Sequence, residues 1–576
     1  MTLLAGVYRR RGAPLSDAFC DDVTSALSRH RGERTSCFRD EHCFIAKVDI
    51  GAFGEDATVV DAAGATFVTG EPILTVGAGP RRSRTFDTHE LHRGRAGGDW
   101  TALTAARGVF SAVQYRRDPR SLSLVADKLA IRPLYYWIGE EQVVFASAIR
   151  ILETLRQVPK RLDPRGVAEL FAFGFPLGAR TPYESIQLLR PAEVIEIDGA
   201  TVSRRRYWRW EDIEASDRPM SELARDSHLR FSEAVAIRAG TDHTVAAFLS
   251  GGLDSRAIVT ALREQERTVQ TYNFGITGTL DAVLATTFAD AAGAVHTQAP
   301  RKAGRPAWSA MMAQALHDAA RRADGPDRPQ IAWSGDGGSV GVGHVYLDQR
   351  LVDTARSTSN TATASAIDAK LGGAMPEWSL QPSFFASVDG AAQNGVLEEL
   401  ETIECSDAGR RLYLFLMYND QRRHLFEHFE DIDIHRLEFE LPFFDSDFLT
   451  SVSRVPTDLC LGHKFYMEWL RQFPAVALST PWQAYPGHEP CPLPLPKARY
   501  QWGKAQWRVR ARIARRELVE QATSVLHAPD FPSAMIRRNR LRFATLVLRL
   551  GLRDVRHLVS PATLVHRYWS RCGTTV

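Results

Sequence analysis

The sequence predicts a chain of mixed α/β and α+β class, with a helical, basic C-terminal end. Three observations carry that reading. Residues 1–210 hold short β-type runs separated by turn residues. From residue 211 strand and helix patterns alternate, as a parallel sheet requires. After a proline-rich break at Tyr485–Pro496, arginines are spaced among apolar residues in helical patterns. The expected domains are therefore 1–210, 211–497 and 498–576.

The elements follow in order. Cys43–Val48, Ala57–Val60, Gly108–Tyr115, Leu122–Ala126 and Val143–Ala146 read as strands. Met220–Arg238 reads as a helix, with apolar residues at mixed helical spacing. Thr244–Leu249 is a short apolar strand, Ser255–Glu266 a helix, Val269–Phe274 a strand and Asp281–Ala292 a helix. The stretch 301–330 is expected to be helical, Thr354–Asn394 to be loops with one helix, and Leu397–His428 to be helical. Residues 501–571 are expected to form arginine-rich helices, and no internal repeat is visible.

Composition excludes several classes. The formal net charge is +3, too small to mark a nucleic-acid binder. It is unevenly placed: residues 501–576 carry a net +11, so the rest of the chain is acidic. The seven cysteines are scattered with no CxxC pair, which argues against a structural zinc site and a disulfide framework. There is no signal-peptide pattern at the start and no apolar run of about 18 residues. The expectation is a soluble, cytoplasmic protein without a transmembrane span.

Phe248–Arg256, FLSGGLDSR, lies between a predicted strand and a predicted helix. Glycines let the backbone turn tightly and present its N–H groups, and the helix start adds a positive dipole end. Such a loop cradles phosphate. Ser250 and Ser255 can donate hydroxyl hydrogen bonds, Gly251 and Gly252 supply the turn, and Asp254 can hold a Mg²⁺ that bridges phosphate oxygens. The plain alternative is a glycine turn ahead of a helix cap.

The loop resembles the pyrophosphate-binding loop of the PP-loop ATP pyrophosphatases and, among them, that of the asparagine synthetase family. The resemblance extends in order over Gly108–Tyr115, Leu124–Tyr136, Val144–Ile149, Ser334–Gly338 (SGDGG), Leu437–Asp445 and Gly462–Lys464. It implies an Ntn-hydrolase-like αββα glutaminase domain, a doubly wound α/β synthetase domain and, here, a basic helical extension. It further implies ATP and Mg²⁺, a small-molecule or peptide carboxylate, an ammonia or amine nucleophile, and release of AMP and pyrophosphate. A homodimer is compatible with it. By the same resemblance ATP binding falls to Phe248, Ser250, Gly251, Gly252, Asp254, Ser255, Phe274, Ser334 and Gly335, the metal to Asp254, and catalysis to Asp336 and Lys464.

Two departures stand out. The family's glutaminase nucleophile is a cysteine, and Thr2 occupies that position. A threonine hydroxyl with a free α-amino group is a known nucleophile, but no RGPD or NGEIYN segment is visible, and Thr69–Pro72 (TGEP) is a poor substitute. The N-terminal domain is therefore expected to be degenerate. Ser339-Val340 replaces the family's usual Asp-Glu, and a serine is a weak ligand for a hard cation. Lasso-peptide cyclases and β-lactam synthetases resemble the same family and lack the glutaminase cysteine. Intramolecular amide formation is thus the alternative activity, and a non-catalytic nucleotide-binding scaffold is the second alternative. His344 is a further acid/base candidate and His463 a packing histidine.

Overall fold

The computed structural model describes the chain except residues 1, 31, 75–82, 97–98, 300–307, 374–375, 501–503 and 573–576. Two compact units divide it. The first comprises residues 1–155, 189–349 and 416–500, and the second 156–188, 350–415 and 501–576.

The first unit opens with two stacked antiparallel sheets. In one, Tyr135–Ile138, Gln142–Ala146, Thr2–Arg9, Cys43–Asp49 and Thr35–Arg39 lie side by side in that order. In the other the order is Thr201–Arg206, Glu193–Asp198, Arg120–Ala126, Phe110–Arg117, Gly64–Gly70 and Thr58–Val60. Inward-facing Leu4, Ile45 and Phe145 of one sheet meet Phe67, Val113 and Leu124 of the other in a dry core. Outward-facing Val68, Ala112 and Val125 pack against Leu91 and Leu103 of the covering helices. Period-two alternation with both faces apolar is what an αββα layering demands.

A five-stranded parallel sheet follows, in the order Val295–Gln298, Thr268–Asn273, Thr244–Phe248, Ile331–Trp333, Glu438–Glu440. The first strand in sequence is central. The chain builds outward on one side and then crosses to the other, which creates a switch point between Thr244–Phe248 and Ile331–Trp333. In open α/β sheets the ligand crevice lies beyond the strand ends at such a point. The two loops that leave it are 249–253 and 334–337.

Buried ion pairs join the sandwich to this sheet within the unit. Arg107 and Arg238 share Asp445, and Arg132 is bidentate to Glu438, with both N–O distances 2.8 Å. Truncating one partner of such a pair leaves an uncompensated buried charge.

The second unit is helical. Val167, Leu380, Leu526, Leu541, Leu548, Val559 and Val565 form its core, so the arginine-rich helices Lys504–His527, Arg538–Leu550 and Arg556–Trp569 pack with segments from 156–188 and 350–415. The expectation of loops over Thr354–Asn394 needs correction. Gln349–Ser357, Asn360–Leu371, Pro382–Val388 and Ala391–Glu401 are all helices. Ser359 caps the second through its Oγ, and Pro382 opens the third. Asn360–Leu371, rich in alanine and threonine, gave little hydrophobic period to read.

Candidate functional site at the switch point

The glycine loop is held in shape by its own hydroxyls. The Ser250 N–H donates to Ser255 Oγ at 3.0 Å, the two hydroxyls lie 3.0 Å apart, and the Gly252 N–H points at Ser250 Oγ. The Gly251 N–H donates to Asp281 Oδ1 at 3.0 Å, and Asn273 Nδ2 ties the other Asp281 oxygen to the Leu249 carbonyl. From beneath, buried Arg256 donates to the carbonyls of Ala477, Thr480 and Pro481, and the Gln483 N–H donates to the Gly251 carbonyl. Asp281 and Asn273 are positioning residues that carry no motif of their own, and Arg256, the last residue of FLSGGLDSR, braces the loop.

Asp254 opens the helix Asp254–Glu264, and the second loop closes on it. A Cβ on Gly338 would lie 2.4 Å from Asp254 Oδ1, and one on Gly335 3.0 Å from Asp254 Cβ. Only glycine lets the 334–338 backbone come this near. The Asp254 carboxylate accepts from Ser339 Oγ at 2.5 Å and from Tyr466 Oη at 2.6 Å. No cation pairs with it among the described residues. Burial, with the charge of Asp336 adding, pushes its pKa up to about 6 despite those two hydroxyls.

Ser334 and Gly335 lie where the motif placed them, beyond Ile331–Trp333. The Ser334 hydroxyl donates to Asp336 at 2.5 Å, and His424 Nε2 lies 3.4 Å from the other Asp336 oxygen. Ser339, read from sequence as a departure, touches Asp254 directly. Phe248 stands at its strand end against Phe274 and Phe439, with ring centroids 6.1 and 5.7 Å away. Phe274 is buried in the core with Met312 and Leu316.

Lys464 begins the helix Lys464–Leu470 and is exposed. Among the described residues no hydrogen bond or ion pair joins it to the loop, and Tyr466 makes that reach instead. Sequence reasoning missed Tyr466, because a tyrosine two positions past a motif lysine has no local signature. His463, beside it, is buried with φ 68° and its Nε2 lacks a hydrogen-bond partner. Burial, with His488 and His344 adding, lowers its pKa to about 3. His344 is buried too, and burial lowers its pKa to about 4, so both rings are neutral near pH 7.

Thr2 lies far from this site in sequence, in the strand Thr2–Arg9 and opposite Asp49; its side chain lies outside the described residues. Around Asp49 the neighbourhood is self-neutralised. Arg84 Nη1 is 3.0 Å and Lys47 Nζ 3.4 Å from Asp49 Oδ2, and both cations are buried.

Together, the two sheet layers and the switch-point loops define a glutamine amidotransferase-like αββα domain joined to a PP-loop-type α/β domain. A glutamine amidotransferase domain model matches residues 90–208, and an asparagine synthase model matches residues 228–312. Both matched stretches resemble the asparagine synthetase family. It is 28% identical over 184 residues to asparagine synthetase (glutamine-hydrolyzing) 3 of Bacillus subtilis, covering 31% of this chain and 29% of that one. It is 26% identical over 164 residues to a putative asparagine synthetase (glutamine-hydrolyzing) 2 of Methanocaldococcus jannaschii, covering 27% and 31%. The matched stretch thus spans less than a third of either relative.

Proposed function

We propose that this chain is an ATP-dependent carbon–nitrogen ligase. A substrate carboxylate oxygen attacks the α-phosphorus of ATP, the bond to the bridging oxygen breaks, and pyrophosphate leaves. An amine then adds to the acyl carbon, AMP departs, and the amine proton is lost as the amide forms. The observation that supports this most is Asp254. It is a carboxylate of raised pKa, held only by hydroxyls, where two phosphate-type loops meet at the sheet's switch point.

Among the described residues no three His, Cys, Asp or Glu side chains are grouped to hold a metal by themselves. That suits Mg²⁺, which is commonly held by one or two carboxylates plus substrate phosphates. Asp254 and Asp336 would be those carboxylates, and the ion would neutralise charge on the departing pyrophosphate. The glycine-loop N–H groups orient the phosphates, and Lys464, exposed and uncommitted, supplies a mobile positive charge to the forming oxyanion. Phe248 would line the nucleotide's base end.

The amine is not expected to come from glutamine. Asp49, opposite Thr2, is already paired with two buried cations, which favours a structural N-terminal layer. An intramolecular or exogenous amine is then the nucleophile.

The test is pyrophosphate release from ATP by the full chain, with aspartate as first candidate acid, and with ammonia, glutamine or neither. Release that depends on acid and ammonia, with no glutamate from glutamine and no change in Thr2→Ala, is expected. Glutamate release lost in Thr2→Ala would restore a glutamine-dependent enzyme.

A further inference from the structure

The helix Arg538–Leu550 has two apolar faces. Leu541, Ala544, Thr545 and Leu548 enter the core of the second unit. Phe543, Leu546 and Leu550, at i, i+3 and i+7, stand on the opposite side, and Leu552 follows them past the Gly551 cap. They are 60%, 51%, 62% and 74% exposed. The other large exposed apolar side chains are scattered along the sequence, as is ordinary.

Charge frames this ridge. At roughly 100° per residue, Arg538, Arg542 and Arg549 fall on one flank and Arg540 on the other. Arg540 lies over the Trp378 ring at 5.3 Å and donates to the Trp378 carbonyl at 2.8 Å. Trp378, 38% exposed, sits 6.2 Å from Phe543, so an aromatic pair flanks the ridge. Between Arg537 and Arg556 there are seven arginines and one acid, Asp554, which is paired with Arg556 at 2.7 Å.

We propose that this face docks the protein peripherally on an anionic lipid surface. Phe543, Leu546, Leu550 and Leu552 would enter the headgroup–acyl boundary, Trp378 would lie at headgroup level, and the arginines would meet lipid phosphates. Apolar and aromatic residues on one face with arginines beside them are the make-up of an interfacial helix. The shape favours lipid over a protein groove-binder: side chains exposed by half or more project from the surface rather than line a cleft. Charge disfavours a second copy, because an isologous contact would set arginines against arginines. No helix among the described residues is long and apolar enough to cross a membrane, so the contact is with the surface. The inference is independent of the chemistry at Asp254.

The experiment is co-sedimentation of the full chain with vesicles of phosphatidylcholine alone and of phosphatidylcholine with phosphatidylglycerol. Binding to the anionic vesicles, weakened by salt, is expected. Leu546→Glu and Leu550→Glu should each weaken it about tenfold, the worth of one buried leucine. Arg542→Glu with Arg549→Glu should weaken it too. All four side chains are exposed, so unchanged thermal unfolding certifies each variant. No sedimentation with anionic vesicles overturns the proposal. So does binding that the leucine variants leave unchanged, or self-association or capture of an acidic peptide that the same variants abolish in the absence of lipid binding.

Discussion

Asp254 and Asp49 are both partly buried carboxylates in the first unit, and their surroundings are opposite. Asp49 lies between Arg84 and Lys47. Burial pushes its pKa up, but the Arg84 guanidinium, and Lys47 after it, hold it well below the ordinary range. Asp254 has two hydroxyls and, among the described residues, no cation, and its pKa is raised to about 6. The fold pairs one carboxylate with cations and holds the other with hydroxyls alone. A buried acid that the protein declines to neutralise points to a ligand, whereas a paired one points to architecture. On the proposed reading, the α/β half of this chain is the working half and the sandwich layer is support.

The largest expected effect sharpens the working side. Lys464→Ala should lower turnover by on the order of 10²–10³ with little change in ATP affinity, the loss typical of one transition-state charge group. Unchanged turnover would move the reach into the loop to Tyr466, which already touches Asp254.

On the paired side, Asp49→Asn removes a carboxylate shared by two buried cations. Loss of roughly 3 kcal/mol of stability is expected at neutral pH, at the low end for a broken buried pair because Lys47 keeps Asp56 at 3.0 Å. Denaturant unfolding reads it, and a change within about 0.5 kcal/mol, the scatter of ordinary surface substitutions, would show the cluster to be ornamental.

Asp254→Asn should do the reverse. Because the folded pKa is raised from 3.8 to about 6, the acid's stability contribution is full below pH 4 and is lost as pH climbs through 6. The asparagine variant escapes that loss. It should exceed wild type by about 1–2 kcal/mol at pH 8, after allowing for partial exposure, and by roughly half of that at pH 5, with the two proteins converging only below about pH 4. An equal deficit at both pH values would mean the carboxylate serves packing.

Much of this contrast was legible in the sequence. FLSGGLDSR between a strand and a helix located the glycine loop at the switch point, and the ordered later segments brought Ser334–Gly338 beside it. What sequence withheld was partnership across distance. Asp281 and Asn273 shape the loop from positions with no motif, and Tyr466 and Ser339 meet Asp254 only after the parallel sheet is built. Ser339 looked like the loss of a metal ligand and proves to be a hydrogen-bond donor to Asp254. Thr354–Asn394 hid its helices because small residues carry little hydrophobic period, although Ser359 was there as a cap.

The most direct test is titration of Mg·ATP onto the full chain at pH 6, in buffers of different ionisation enthalpy, for wild type and Asp254→Asn. If Asp254 awaits a cation-bearing phosphate, ligation lowers its pKa and wild type releases roughly half a proton more than the variant, which binds far more weakly. Equal affinity and equal proton release in the two proteins would contradict the account.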